Sequence, residues 1–244
     1  MVSETEGVVS ETAGVLLVIP ARLHSTRLSH KVILNETGKY LVQHVYERAK
    51  QVEGADEVLV ATDHDVVREA VESFGGEVMM TSPDHQSGSD RAAEVARARP
   101  CSLIVNLQAD EPELEPADVA ALIADMRASG AEMGTLVHPD LSDEDQMDPS
   151  VVKAVVTDDG WATDFRREET PGGMRHLGIY AFTPEFLQRY TQMEPTYNER
   201  DRKLEQMRAI DNGIRLRAVV ASHRGVGIDT PEDYEAFVER TRAG

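Results

Sequence analysis

Four apolar runs of strand length, at residues 15–19, 57–61, 103–107 and 133–137, alternate with stretches whose apolar positions repeat at helical spacing. Runs of this kind, bounded by turn residues, read as strands buried on both faces. Helices are expected over 40–51, where Leu41, Val45 and Ala49 share a face, and over 64–74, 90–99 and 116–129. Gly75-Gly76 closes the second of these, and Pro116 opens the last at a position proline favours. A short strand is expected over 77–80. This rhythm predicts an α/β fold, a doubly wound, mostly parallel, Rossmann-like sheet with helices on both faces.

The rhythm then breaks. Strand patterns at 151–156, 160–165 and 176–182 follow one another without helices, which predicts a β-rich elaboration near 151–182. Helices over 184–192 and 199–211, a strand over 215–220 and a final helix from Pro231 complete the chain. Its 244 residues suit one domain over 15–244. Before it, Val2-Ser-Glu-Thr-Glu-Gly-Val8 is echoed by Val9-Ser-Glu-Thr-Ala-Gly-Val15, and residues 1–14 are expected to form a mobile tail.

The formal net charge of −19 argues against nucleic acid and anionic membrane as partners, since both need a broad basic surface. No apolar run approaches the ~20 residues of a membrane span. The single cysteine, Cys101, cannot form an internal disulfide and fits a reducing compartment, so a cytoplasmic location is expected.

Against that acidity, one segment stands out. Residues 20–31, directly after the first strand, hold Arg22, Arg27, Lys31, two histidines and two serines, and no carboxylate. The end of a first strand is where an α/β protein receives a polyanion. The segment lacks the glycines of a Walker or dinucleotide loop, so side chains must hold the phosphate: arginine bidentately, lysine as a point charge. The bland alternative is a solvated loop of scattered charges. Asp110, in Asn106-Leu-Gln-Ala-Asp-Glu-Pro112, lies at the carboxyl end of a buried strand, the ligand edge of such sheets. A triphosphate brings Mg²⁺, which takes one or two carboxylates; alternatively Asp110 and Glu111 only cap a turn. Asp229 precedes Thr230-Pro231-Glu232-Asp233, which by itself makes a capped helix start, so Asp229 is free to be a second metal ligand. The polar turn His85-Gln86-Ser87-Gly88-Ser89-Asp90 can read a base edge through Gln86. Asp63-His64-Asp65 has the spacing of a glycosyltransferase metal pair, but an amphipathic helix follows at once and makes a helix start the better reading.

Taken in order, these pieces resemble the CMP-KDO synthetase (3-deoxy-manno-octulosonate cytidylyltransferase) family. The matching segments are Ile19-Pro-Ala-Arg22, Ser25-Thr-Arg-Leu28 with Lys31, Ala61-Thr-Asp63, Asp84-His-Gln-Ser-Gly88, Gln108-Ala-Asp-Glu-Pro112, Arg175-His-Leu-Gly-Ile-Tyr180, Leu204-Glu-Gln-Met-Arg208 and Gly227-Ile-Asp-Thr-Pro-Glu-Asp233. The resemblance implies the nucleotidyltransferase form of the fold. It also implies a homodimeric, Mg²⁺-dependent enzyme that joins CTP to a 2-keto-3-deoxy sugar acid and releases pyrophosphate. It assigns Arg22, Ser25, Arg27 and Lys31 to the triphosphate, and Gln86, Ser87, Gly88 and Gln108 to the nucleotide. Asp110 and Asp229 become the metal carboxylates, and Arg22, Lys31, Asp110 and Asp229 the catalytic set. Arg167, His176, Tyr180, Glu205 and Gln206 match the acceptor site.

The chain departs from the family's pattern at several points. Leu28-Ser-His-Lys-Val-Ile33 replaces Leu-Pro-Gly-Lys-Pro-Leu, and Ala109 stands where the family has glycine. The eight residues of 168–175 replace a longer family segment. The shorter connection is expected to leave the acceptor side open, with Arg166, Arg167 and Arg175 supplying positive charge for an anionic acceptor. KDO, its 8-amino analogue, a nonulosonate-type acid and a small phosphonate are the acceptors weighed. A nucleotide-binding protein without catalysis and a glycosyltransferase using Asp63 and Asp65 are the competing classes.

Overall fold

The computed structural model describes residues 13–25 and 27–243. Residues 1–12 of the expected tail and Thr26 of the basic loop lie outside the described residues. At Gly14 the chain is already tied down, its carbonyl accepting from the Ser102 amide at 2.9 Å.

The first half follows the expected alternation. β1 (Val15–Pro20), α1 (Leu41–Ala49), β2 (Glu57–Thr62), α2 (Asp65–Ser73), β3 (Val78–Met80), α3 (Gly88–Ala98), β4 (Leu103–Asn106), α4 (Pro116–Ser129) and β5 (Met133–His138) succeed one another. Alternate residues of β1 feed opposite faces, as the pleat requires. Val15, Leu17 and Ile19 join a core with Val42, Val45, Val67 and Ile123, while Leu16 and Val18 join one with Ala92, Val95 and Phe186. Both faces are therefore covered, and the sheet is doubly wound.

A short helix, α5 (Asp143–Met147), comes next, then β6 (Lys153–Val156), β7 (Trp161–Arg166) and β8 (Met174–Phe182). These three strands of the elaboration enter the main sheet. The order is β3-β2-β1-β4-β8-β5, followed by β9 (Leu216–Val220), β7 and β6. β8 runs antiparallel between β4 and β5. Its first residues also pair with β6, so β8, β5, β9, β7 and β6 close on themselves. Seven of the nine strands run one way; only β7 and β8 oppose them.

β8 carries a bulge that matters for the site. Thr135 pairs with Tyr180 but Leu136 pairs with Leu177, leaving Gly178 and Ile179 over. The Thr135 hydroxyl fills the gap, 2.7 Å from the Ile179 carbonyl.

The expected helix over 199–211 is two pieces, α7 (Tyr197–Arg202) and α8 (Met207–Asp211), after α6 (Pro184–Tyr190). Lys203 adopts the left-handed conformation, φ 55°, and caps α7 on the Glu199 carbonyl. Glu199 and Arg208 clamp the two pieces through hydrogen bonds of 2.9 and 2.5 Å. The break gives Glu205 and Gln206 directions a continuous helix could not. The last helix, α9 (Pro231–Ala243), seats Tyr234, Phe237 and Val238 with Leu41 of α1 and Ile228, which fixes the loop before Asp229.

Candidate active site

The basic loop leaves β1 and ends in a single 3₁₀ turn, Lys31–Ile33, which begins after His30 at φ 54°. Lys31 is buried, and all three of its ammonium donors are used. It donates to Asp110 Oδ2 at 2.6 Å, the Ile228 carbonyl at 2.7 Å and Asp229 Oδ1 at 3.1 Å. Two loops distant in sequence therefore meet at one amine. A main-chain bond from Ile228 N to the Asp110 carbonyl, 2.9 Å, clips them together directly. Arg27 adds an ion pair to Asp229 at 2.9 Å.

Asp229 is free for this role because Asp233 does the capping. Asp233 accepts from the amides of Asp229 and Thr230 at 3.0 and 2.8 Å, and the Thr230 hydroxyl accepts from Asp233 N at 3.2 Å. Glu111 sits behind the pair. Burial, with repulsion from Asp110 and Asp229, pushes its carboxyl up to about 7.

On the other side, Ser87 and Asp90 form a capping box at the start of α3, 3.1 and 3.0 Å. This fixes the Gln86 turn, and Arg22 bonds that turn to the basic loop through the His85 carbonyl. Gly88 lies close against Pro20 and Asn106, so even a methyl group there would touch both.

One cleft of about 400 Å³ results, at the carboxyl ends of the parallel strands. It is lined by Arg22, Ser25, Arg27, Lys31, Gln86, Ser87, Gly88, Gln108, Asp110 and Asp229, so every residue read as nucleotide- or metal-binding shares it. His24 lines it as well, which no sequence pattern had singled out. Among the described residues no group of three or more His, Cys, Asp or Glu side chains is placed to chelate a metal. Two carboxylates on adjoining loops are the donor set Mg²⁺ takes when phosphate oxygens supply further ligands. The Asp63-Asp65 pair is not such a set. Asp63 is held by the buried Arg91 at 2.8 Å, Asp65 pairs with Arg68 at 3.2 Å, and His64 caps α2.

Of the residues read as acceptor-binding, His176, Tyr180, Glu205 and Gln206 lie behind Gln108, whose side-chain amide donates to the Gly178 carbonyl at 2.7 Å, and none of them lines the cleft. Tyr180 donates to Gln206 Oε1 at 3.1 Å, and Ser89 to Glu205 Oε1 at 2.9 Å. Burial and the Glu205 charge push the Tyr180 phenol well above its usual range, so it stays a donor. Burial pushes His176 down to about 3, and it is neutral. The Thr135 hydroxyl gives its only proton to a carbonyl of the bulge, so His176 Nε2–H donates to it at 3.0 Å and Nδ1 keeps a lone pair. Among the described residues Gln206 Nε2 and Asn106 Oδ1 are buried without partners, an unspent donor and acceptor.

The expected arginine charge is paired within the protein. Arg166 pairs with Asp164 at 2.7 Å and Arg175 with Asp145 at 3.0 Å. Arg167 donates to the carbonyls of Pro149, Arg202 and Lys203 at 2.9, 2.8 and 3.2 Å, bracing the break that precedes Glu205. In a chain this acidic, arginines find carboxylates and carbonyls nearby, and spacing alone does not show which.

Glu205 offers a test. Burial pushes its carboxyl above the usual range, helped by Asp90 and Glu199 and opposed by Ser89 and Arg208. A raised carboxyl favours the folded state while protonated, and that advantage is lost as pH rises through the folded value. Glu205→Gln is therefore expected to melt higher than wild type at pH 8 and to match it near pH 4.5. An equal difference at both values would contradict the assignment.

The family described as Cytidylyltransferase matches residues 16–216. A 3-deoxy-manno-octulosonate cytidylyltransferase of Geobacter sulfurreducens is 40% identical over 92% of this chain and 98% of its own. The chain belongs to the cytidylyltransferase family. This cytidylyltransferase is also 42% identical to the 3-deoxy-manno-octulosonate cytidylyltransferase of Anaeromyxobacter dehalogenans, over 94% of this chain and 96% of that one. A solved CMP:2-keto-3-deoxy-manno-octonic acid synthetase, complexed with CTP, superposes with a TM-score of 0.91 at 39% identity, covering 95% and 99% of the two chains. Like its family, the cytidylyltransferase is a nucleotidyltransferase with an α/β fold.

Proposed function

We propose that this chain joins CTP to 3-deoxy-manno-octulosonate, giving the CMP-sugar and pyrophosphate. The observation that carries the reading is the meeting of Lys31, Asp110 and Asp229 in the cleft that also holds the Gln86 turn. The acceptor's anomeric hydroxyl attacks the α-phosphorus and pyrophosphate leaves from the opposite side. The protein aligns the reactants and neutralises charge, with little covalent work of its own. Lys31 and Arg22 supply that charge, Arg27 holds Asp229 in place, and Tyr180, His176, Glu205 and Gln206 offer hydrogen bonds to the acceptor. Asp110 and Asp229 would hold Mg²⁺, which when bound polarises phosphate oxygens and makes the acceptor hydroxyl easier to deprotonate. With Arg166 and Arg175 committed to carboxylates, acceptor recognition rests on these hydrogen bonds more than on free charge. A homodimer is part of the proposal.

The test is pyrophosphate release from CTP against a panel of acids: KDO, its 8-amino analogue, neuraminic acid and small phosphonates. Release with none of them would overturn the reading. CTP is expected to be preferred over ATP and GTP by at least about 10²-fold in kcat/KM, with UTP the nearest competitor. The turn bonded to the basic loop and the close floor under Gly88 suit a pyrimidine. Equal use of ATP would contradict it.

A further inference from the structure

The cleft has more donors than the contacts above use. Arg27 and Lys31 are balanced by Asp229 and Asp110. Arg22 has no carboxylate partner among the described residues, and His24, which shares its cleft, is one of three imidazoles that come together. The His24 ring lies 6.2 Å from that of His30 and 5.9 Å from that of His64, the latter pair edge-on at 86°. His24 lines the cleft itself, and His30 and His64 stand next to it outside the lining. Among the described residues the side chains of His24 and His30 have no hydrogen-bond partner.

Two details decide what such a cluster holds. The first is a tautomer. His64 Nδ1 accepts from the Val66 amide at 3.2 Å, so its proton sits on Nε2. His64 therefore presents an N–H, not a lone pair, which suits an anion and opposes a metal ion. The second is the backbone. His30 is at φ 54°, a conformation that strains a residue with a side chain and that glycine adopts without steric cost. Strain kept beside a binding cleft points to a use for the side chain that carries it.

We propose that His24, His30 and His64 form an outer phosphate subsite, which with Arg22 holds the two phosphates released as pyrophosphate. The proposal rests on the reading that the cleft takes a nucleoside triphosphate. The subsite complements Lys31, which sits between the two carboxylates at the inner end.

The experiment titrates the protein with inorganic tripolyphosphate and, separately, with CMP, which lacks the outer phosphates. Wild type, His24→Ala, His30→Gly and the double variant are compared by calorimetry. Each single change is expected to weaken tripolyphosphate binding about five- to tenfold, the size of one lost hydrogen bond to a charged group, and to leave CMP binding within about twofold. His30→Gly should melt no lower than wild type, because glycine relieves the strained position, so its loss of affinity cannot be unfolding. Unchanged tripolyphosphate affinity in the double variant overturns the subsite. So does a parallel loss for CMP, which would mean that the histidines only shape the loop. Zn²⁺ binding that depends on His24 while tripolyphosphate affinity stays unmoved would also overturn it. Histidine-dependent tripolyphosphate binding in a protein that releases no pyrophosphate from CTP would sink the proposed function and leave the subsite standing.

Discussion

Asp110→Asn and Asp229→Asn are each expected to lower turnover by about 10²–10³-fold, the range seen when one preorganised electrostatic contact to a transition state is lost. Both carboxylates lie at the ligand edge of the sheet, and both reach the same amine, at 2.6 and 3.1 Å. Neither is deeply buried: their side chains are 29% and 41% exposed. An asparagine there can still accept from Lys31, so the fold should survive and the melting temperature move little. The loss therefore belongs to the reaction. Pyrophosphate release measured across a Mg²⁺ series checks it, because the variants should need more metal as well as turn over more slowly. Near wild-type rates in either variant would remove that residue from the site.

The legibility of this molecule in its sequence followed how local each signal was. The parallel half was readable because each strand is a continuous apolar run and each helix keeps one periodic face. α4 matched its expected bounds, 116–129, because Pro116 and Gly130 mark both ends. The elaboration was readable as strands but not as a ring. That β8 inserts between β4 and β5 and also meets β6 depends on pairings distant in sequence. α5 was overlooked although Ser142 and Asp145 form a capping box, since its five residues carry no periodic face. The split at Lys203 was invisible because a lysine in the left-handed conformation leaves no mark in the sequence.

The site divides the same way. That Asp110, Asp229 and the basic loop share one cleft was legible because each is chemically out of place: a carboxylate at a strand end, an acid a helix cap does not need, cations in an acidic chain. The partners of Arg166, Arg167 and Arg175 were not, because an arginine's choice among many carboxylates is settled by packing. His24 and His64 are forty residues apart, and only the β1–β2 pairing makes them neighbours.

Lys31→Met should move two measurements in opposite directions. Turnover is expected to fall by about 10²–10³-fold, because the phosphates lose a point charge held by three acceptors in a buried position. Mg²⁺ binding to the nucleotide-free protein should tighten. In this structure the ammonium occupies the space between Asp110 and Asp229 and pairs with both, so a cation arriving without nucleotide must compete with it. Methionine is flexible enough to fill the channel and brings no charge. It leaves Asp110 without its cation and Asp229 with Arg27 alone. A divalent ion then gains what the ammonium had supplied. Calorimetric titration of the free protein with Mg²⁺, beside the rate of pyrophosphate release, separates the two effects. If metal binding weakened along with turnover, Lys31 would be holding the Asp110 and Asp229 loops together and not competing for the space between them. Lys31→Arg distinguishes these further, since it keeps the charge and the link between the loops while changing the geometry offered to phosphate.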